Sequence, residues 1–571
     1  MAHGSNYKRC RGRLVHPGMD RLSVSTHALR CCPHSGLVEK IHENRPLQKT
    51  PELDLIMKRT KPMETRISNL ALLSALIAGL VIMLCGPVMA QTFTTIYNFV
   101  GAGDGAWPQS GLILSGNTLY GAANIGGTSG DGTVFALNID GSAFTTLHSF
   151  SGGGNGGVYP HVGILVSNTL YGSAVIGGSS GNGTVFAFNI DGSGFTNVHS
   201  FKASGTNHSG IYTNSDGNQP IAGLILSGNT LFGTTTAGGT NGSGTVFAVN
   251  IDGSGFTNVH SFKASCTNSS GIYTNSDGAS PWGGLVLSGN TLYGTTARGG
   301  TSGSGALFTV NTDGTGFRNV YSFSATSGPR DAYGYGTNSD GVWPWAGLIL
   351  SANTLYGTTY LGGNSGAGTV FAVSSDGTGF AVLHSFTGLS APTYAFATNG
   401  DGAYPSAGLI LLGNTLYGTA SGGGSSGNGT VFAVNIDGSG FTVLHSFTPG
   451  VGSEKGDVFN SDGANPIAGL TLSGITLYGT AQAGGSFGNG TVFSLSFPPQ
   501  LTIITSGANM VLTWPTNYRS FDYTGYTLQS STNLTSLTAW KPASPSPVVI
   551  GGQNVVVNPI SGTQEFYRLK R

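Results

Sequence analysis

Residues that could do chemistry are sparse in this chain, and they sit at recurrent places. Aromatic rings bracket a repeated proline at Trp107, Tyr159, Trp282, Trp343, Trp345 and Tyr404, where other copies carry Gln219, Ser280 and Asn465. A flat ring beside hydroxyl- and amide-rich loops suits a sugar, whose apolar face stacks on the ring while polar groups take its hydroxyls. The same rings can wedge between structural units. Packing weighs ahead of ligand contact, so the six stand as candidate ligand-binding residues only.

Other side chains point away from catalysis. Asp104, Asp216, Asp277, Asp340, Asp401 and Asp462 each precede a glycine before that proline. One carboxylate per copy falls short of the roughly six to eight oxygens of a calcium site, and Asp-Gly is turn chemistry. His148, His199, His260, His384 and His445 share one position with Tyr97 and Tyr321. They therefore read as packed rings with a hydrogen bond, on units too far apart to share a metal. Gly177-x-Ser179-x-Gly181, Gly423-x-Ser425-x-Gly427 and Gly484-x-Ser486-x-Gly488 match the nucleophile elbow of serine hydrolases in letters only. That elbow needs a strand before it and a helix after it. The irregular cluster Glu454-Lys455-Gly456-Asp457, with Arg330-Asp331, is where unlike catalytic groups would be sought, and it reads as solvated loop charge. No catalytic residue, metal or cofactor is assigned.

The positioning elements come from a repeat. The phrase GLILSGNTLYG at 111–121 returns six more times, with its aromatic at Tyr120, Tyr171, Phe232, Tyr293, Tyr356, Tyr417 and Tyr478, spaced by 51, 61, 61, 63, 61 and 61 residues. A fixed period of this size marks an array whose units bury their faces on neighbours. Within the third unit, GLILS (223–227), TLFGT (230–234), TVFAVN (245–250) and FTNVHSF (256–262) are short apolar runs between turns. They predict a four-stranded antiparallel meander with a two-residue hairpin at Gly228-Asn229. The last unit stops at Thr491–Phe497 without a fourth strand, and Phe93–Phe99 is an orphan fourth strand. A linear array would leave both as open edges. The reading is an all-β fold: a seven-bladed β-propeller over 91–498, closed by N- and C-terminal strands, then a small β-sandwich-like module over 499–571. The long loops fall on one face and the tight turns on the other, so binding is sought on the long-loop face.

The recurring GTVFxxNxDGxxFxxLHSF, DGxxPxxGL and LYGTT resemble the GloVer tandem repeat of exported proteins of Gloeobacter and Verrucomicrobia, over nearly all of 92–497. The resemblance implies an exported, surface-associated protein and brings no catalytic residue with it. The first two units depart from it, with GAAN and GSAV in place of GTT and Asn155 in place of Asp. The tail strands around Trp514 resemble a small fibronectin-type sandwich, implying attachment or packing.

Composition and the N-terminus fit export. The chain has 571 residues with Gly 95 and only 8% charged side chains. Residues 1–56 read as a non-native or disordered extension. Residues 57–90, with a basic start, the apolar run Leu70–Leu84 and a Val-x-Ala ending, read as a signal peptide cleaved before Gln91; an uncleaved anchor is the alternative. Without residues 1–90, 11 basic and 18 acidic residues remain, a poor balance for nucleic-acid binding. Cys266 is then alone, with no disulfide framework. The expectation is a secreted, outer-surface or periplasmic monomer that binds glycans or a surface protein without catalysis and touches membrane only through an uncleaved signal. A polysaccharide lyase or hydrolase using the funnel, and a purely structural surface protein, are the alternatives.

Overall fold

The computed structural model describes residues 91–571 apart from 153–155, 208–210, 268–271, 328–335, 391–396, 453–457, 535–538 and 561–563. The expectations for residues 1–90, for the Glu454–Asp457 cluster and for Arg330-Asp331 lie outside the described residues. Among the described residues there is no helix.

Each repeat forms one antiparallel sheet. In the third, the strands are Ile225–Ser227, Thr230–Thr235, Thr245–Asn250 and Thr257–Ser261, in that spatial order. Seven such sheets follow in sequence and are called blades 1 to 7. In blade 7 the fourth strand is Thr92–Asn98, paired antiparallel with Thr491–Ser496. A shared core joins the ends: Phe99, Leu119 and Phe135 of the first repeat pack with Tyr478 and Val492 of the last.

The two middle strands of a blade are covered on both faces by neighbouring blades, so their sequence is continuously apolar rather than alternating. Thr245–Val249 is buried at every position. Gly233 opposes Phe247 across the pair, and a Cβ there would lie 2.6 Å from the Phe247 ring, so the glycine makes room for the aromatic. The hairpin turn holds Gly228 at φ 58°, while Ser167 and Ala352 accept the same left-handed geometry in blades 2 and 5.

A polar latch recurs between successive blades, at six of the seven strand-four ring positions among the described residues. The His384 ring stacks on Phe441 of the following repeat at 3.5 Å and hydrogen-bonds Asp401 at 3.0 Å; His199, His260 and His445 repeat the arrangement. Tyr97 and Tyr321 take the same part, donating to Asp104 and Asp340. Burial, with the acidic partner, pushes both phenols well above the usual range. The four histidines are therefore packed rings with a hydrogen bond, and His148 is a packed ring stacked on Phe195. Asp216, Asp277, Asp340, Asp401 and Asp462 correct the simple turn reading, because they are buried acceptors from the preceding strand, whereas half-buried Asp104 also accepts from the nearby Val100 N and Gly101 N. The turn itself is made by Asn214, which accepts from Gly217 N at 2.9 Å, and by its counterparts.

The described residues of 502–570 form three antiparallel sheets of four, three and two strands, and Leu512, Trp514, Leu528 and Val556 of the two larger sheets are buried together. This part seats on blades 6 and 7, where Phe521 and Tyr523 join the core of Tyr417 and Phe497. Tyr417 donates to Arg519 O at 2.7 Å, and Ser520 accepts from Asn414 N in the blade 6 hairpin. The seat is thus at the tight turns, which leaves the long-loop face uncovered by it.

Candidate functional site

The recurrent proline sets the geometry of the long-loop face. The residue before it is left-handed in every blade, from Trp107 to Asn465, with φ between 54° and 62°. A side chain there costs about 1–2 kcal/mol, and two backbone hydrogen bonds hold it. Tyr404 N donates to Ala367 O of the preceding repeat at 2.8 Å, and Tyr404 O accepts from Ser421 N at 3.2 Å; Trp343 bonds Ser304 O and Tyr360 N in the same way. The residue after the proline lines a central cavity. Gln109, His161, Ile221, Trp282, Trp345, Ser406 and Ile467, one from each repeat, surround a space of about 570 Å³.

The two proline-flanking positions therefore differ, and the six candidate aromatics divide accordingly. Trp282 stacks on Trp345 at 5.2 Å, Trp345 on Tyr360 at 4.1 Å, and Tyr360 on Tyr404 at 5.2 Å. Trp343 stacks on Trp345 at 5.3 Å and is only 6% exposed, with the Arg298 guanidinium 5.7 Å from its ring. Burial leaves Trp343 no ring face to offer, so it braces the others. Trp107 and Tyr159 are 42% and 37% exposed on blades 1 and 2, and among the described residues no ring pair joins them to this column. A ring inside a stack spends its faces on its neighbours. At the Trp282 end of the column the outer ring face is left for a ligand.

Besides the column, the cavity lining includes the uncharged polar Gln109 and His161 of blades 1 and 2 and Ser406 beside the column on blade 6. Gln109 accepts at Oε1 from the Asn124 amide at 2.8 Å. His161 Nε2 and Ser406 Oγ are buried without a hydrogen-bond partner. Burial pushes the His161 imidazole down to about 4, so it is neutral at ordinary pH. The described residues lining the cavity include no Asp, Glu, Lys or Arg. The GxSxG loops lie between strands, and no helix follows them among the described residues.

Sequence reasoning missed Tyr360 and His161. Tyr360 follows LYGTT, a position that holds Asn124, Val175, Thr236, Ala297, Ser421 and Gln482 in other blades. His161 follows its proline, as Trp282 does. Blade-to-blade disagreement was the available signal at both. Tyr212 and Tyr273, 69% and 65% exposed at the edges of the insertion hairpins, were also passed over.

The chain is similar to several solved structures and to one repeat family. Solved structures with likeness include an oligogalacturonate lyase in complex with manganese, 11% identical, covering 72% of this chain and 99% of that one, with a TM-score of 0.41. An oligogalacturonate lyase from Vibrio parahaemolyticus is 9% identical, with 71% and 93% covered and a TM-score of 0.39. A chain of a nidogen/laminin complex is 14% identical, with 55% and 90% covered and a TM-score of 0.31. No curated protein sequence gives a significant match. The model of the Gloeobacter/Verrucomicrobia repeat matches residues 86–218, 164–334 and 267–493, which together span most of the chain. The chain belongs to the Gloeobacter/Verrucomicrobia repeat family.

Proposed function

We propose that this protein works outside the cell as a non-catalytic glycan-binding propeller, with its site at the mouth of the central cavity. The observation that carries the reading is the asymmetry of that mouth. On one side is the aromatic column ending in Trp282, which is 38% exposed, and on the other are the uncharged amide of Gln109 and imidazole of His161. Sugar recognition asks for this division, with an apolar ring face on one side and hydrogen-bond partners on the other. Polysaccharide cleavage asks for a general acid and a base poised near working pH. His161 is held neutral by burial, and the described lining offers no carboxylate pair, which favours binding over cleavage.

The test is glycan-array binding with a parallel assay for new reducing or unsaturated ends. A neutral glycan retained by the full chain, released uncut, and lost in Trp282→Ala is the expected result. New chain ends would replace the binding reading with an enzymatic one. Unchanged retention in Trp282→Ala would remove the site from the mouth.

A further inference from the structure

The lining of the central cavity has a fixed order, because the residue after the recurrent proline comes once from each blade: Gln109, His161, Ile221 and Trp282 follow one another round the mouth. The inner strands beside them are close neighbours. Ile113 of blade 1 packs on the core that holds Val162 of blade 2. A Cβ on Gly163 would lie 2.8 Å from Leu224 N of blade 3, and one on Gly284 of blade 4 would lie 3.8 Å from Gly223 O. Trp345 of blade 5 covers one face of Trp282, so the outer face looks toward blade 3, where Ile221 stands half-buried. Beyond Ile221 come His161 and Gln109. The Gln109 amide has a set orientation, since its Oε1 accepts from Asn124 Nδ2 at 2.8 Å and its Nε2 hydrogens are left to donate elsewhere. Asn124 Oδ1 is buried without a partner. The reverse orientation of the pair would put N–H donors in that buried place, and an orphaned N–H is rarer than an unmet carbonyl.

The geometry points to an acetamido sugar as the group recognised, with its ring on the outer face of Trp282, its amide carbonyl at Gln109 Nε2 and its acetyl methyl against Ile221. This rests on the glycan-binding reading and narrows the class of ligand. An amide N–H donor asks for an acceptor, and three kinds of sugar substituent supply one. A uronate or sulfate would lose water with no Lys or Arg among the described lining residues to meet its charge. A hydroxyl brings a proton of its own, while Gln109 Oε1 is already engaged by Asn124. An amide carbonyl is neutral and accepts without donating. Its methyl also covers the apolar stretch at Ile221, between the stacking ring and the polar pair, which a hydroxyl would leave wet.

Titration calorimetry of the full chain with two matched pairs tests the proposal: diacetylchitobiose against cellobiose, and N-acetylgalactosamine against galactose. Within each pair the sugars differ by acetamido in place of hydroxyl. In the pair that binds, the acetylated member is expected to bind at least about tenfold tighter, the equivalent of one added hydrogen bond and one buried methyl. Gln109→Glu still accepts from Asn124 but has no donor, so it should remove most of that preference. Ile221→Ala should reduce the preference, and Trp282→Ala should weaken both members alike. Equal affinity within both pairs, with binding still lost in Trp282→Ala, overturns the acetamido assignment and leaves glycan binding in place. A preference kept in both Gln109→Glu and Gln109→Ala overturns the role given to Gln109. Absence of binding by all four sugars also overturns the acetamido assignment, and the glycan array then decides separately whether any glycan is held.

Discussion

Replacing Asp401 by alanine removes one carboxylate and strands three donors. His384 Nε2 lies 3.0 Å from it and Thr387 N 3.0 Å from its nearer oxygen, and the Thr387 hydroxyl also donates to it. The histidine side chain is 18% exposed and can turn partly to water, whereas Asp401 is 10% exposed and deep in the latch. Counting one donor fully stranded and the others partly rehydrated, at about 1–3 kcal/mol per buried unmet group, gives a loss of about 3 kcal/mol. Asp401→Asn keeps one acceptor oxygen and should lose about half as much. Urea unfolding at pH 7 measures both. The pH dependence is a second readout. Burial alone would raise the Asp401 carboxyl, but hydrogen bonds from His384 and Thr387 outweigh it and hold the group below its ordinary value. A folded pKa below the unfolded one means stability that is present above about pH 4 and lost as pH falls through the folded value. The gap between wild type and Asp401→Ala should therefore close in strong acid. A loss under about 0.5 kcal/mol at pH 7, typical of a surface site, would refute the latch and return the aspartate to a plain turn role.

Other outcomes follow from the same geometry. His161 is depressed to about 4 by burial, so between pH 6.5 and 4 the unfolded chain binds the extra proton. Stability should fall by about 3 kcal/mol as pH drops across that window; a His161→Gln variant with the same acid slope would contradict this. Deleting residues 91–98 exposes the edge of Thr491–Ser496 and removes the Phe93 stack on His445, 3.7 Å away. Light scattering should then show concentration-dependent association, and an unchanged monomer with unchanged melting would argue against closure by this strand. Tyr417→Phe removes the bond to Arg519 O and should cost about 1 kcal/mol, with faster hydrogen exchange at 517–526. Unchanged exchange there would mean that apolar contact alone holds the seat.

The architecture was legible because one pattern is written seven times. Runs such as TVFAVN are apolar on both faces, which only a strand covered twice requires, and the orphan Phe93–Phe99 matched the gap in the last repeat. The ring column was half legible. Variation around the proline pointed to Trp282, Trp345 and Tyr404, but nothing local distinguishes the position before the proline from the one after it. A residue before proline is biased toward extended backbone, so a left-handed Trp343 or Tyr404 runs against local preference and is fixed by hydrogen bonds from a neighbouring repeat. The column joins rings from three repeats, so it exists only once the blades are set side by side. Tyr360 and His161 were hidden for the same reason. The aspartate role was misread because Asp-Gly is turn chemistry in isolation, while Asn214 and its equivalents supply the turn.

The most direct test of the account is a crystal structure of the full chain with the neutral oligosaccharide it binds best. A sugar ring stacked on the outer face of Trp282 within hydrogen-bond reach of His161 or Gln109 is the expected result. A ligand seated instead on the Tyr212 and Tyr273 hairpins, or on the tight-turn face, would contradict it.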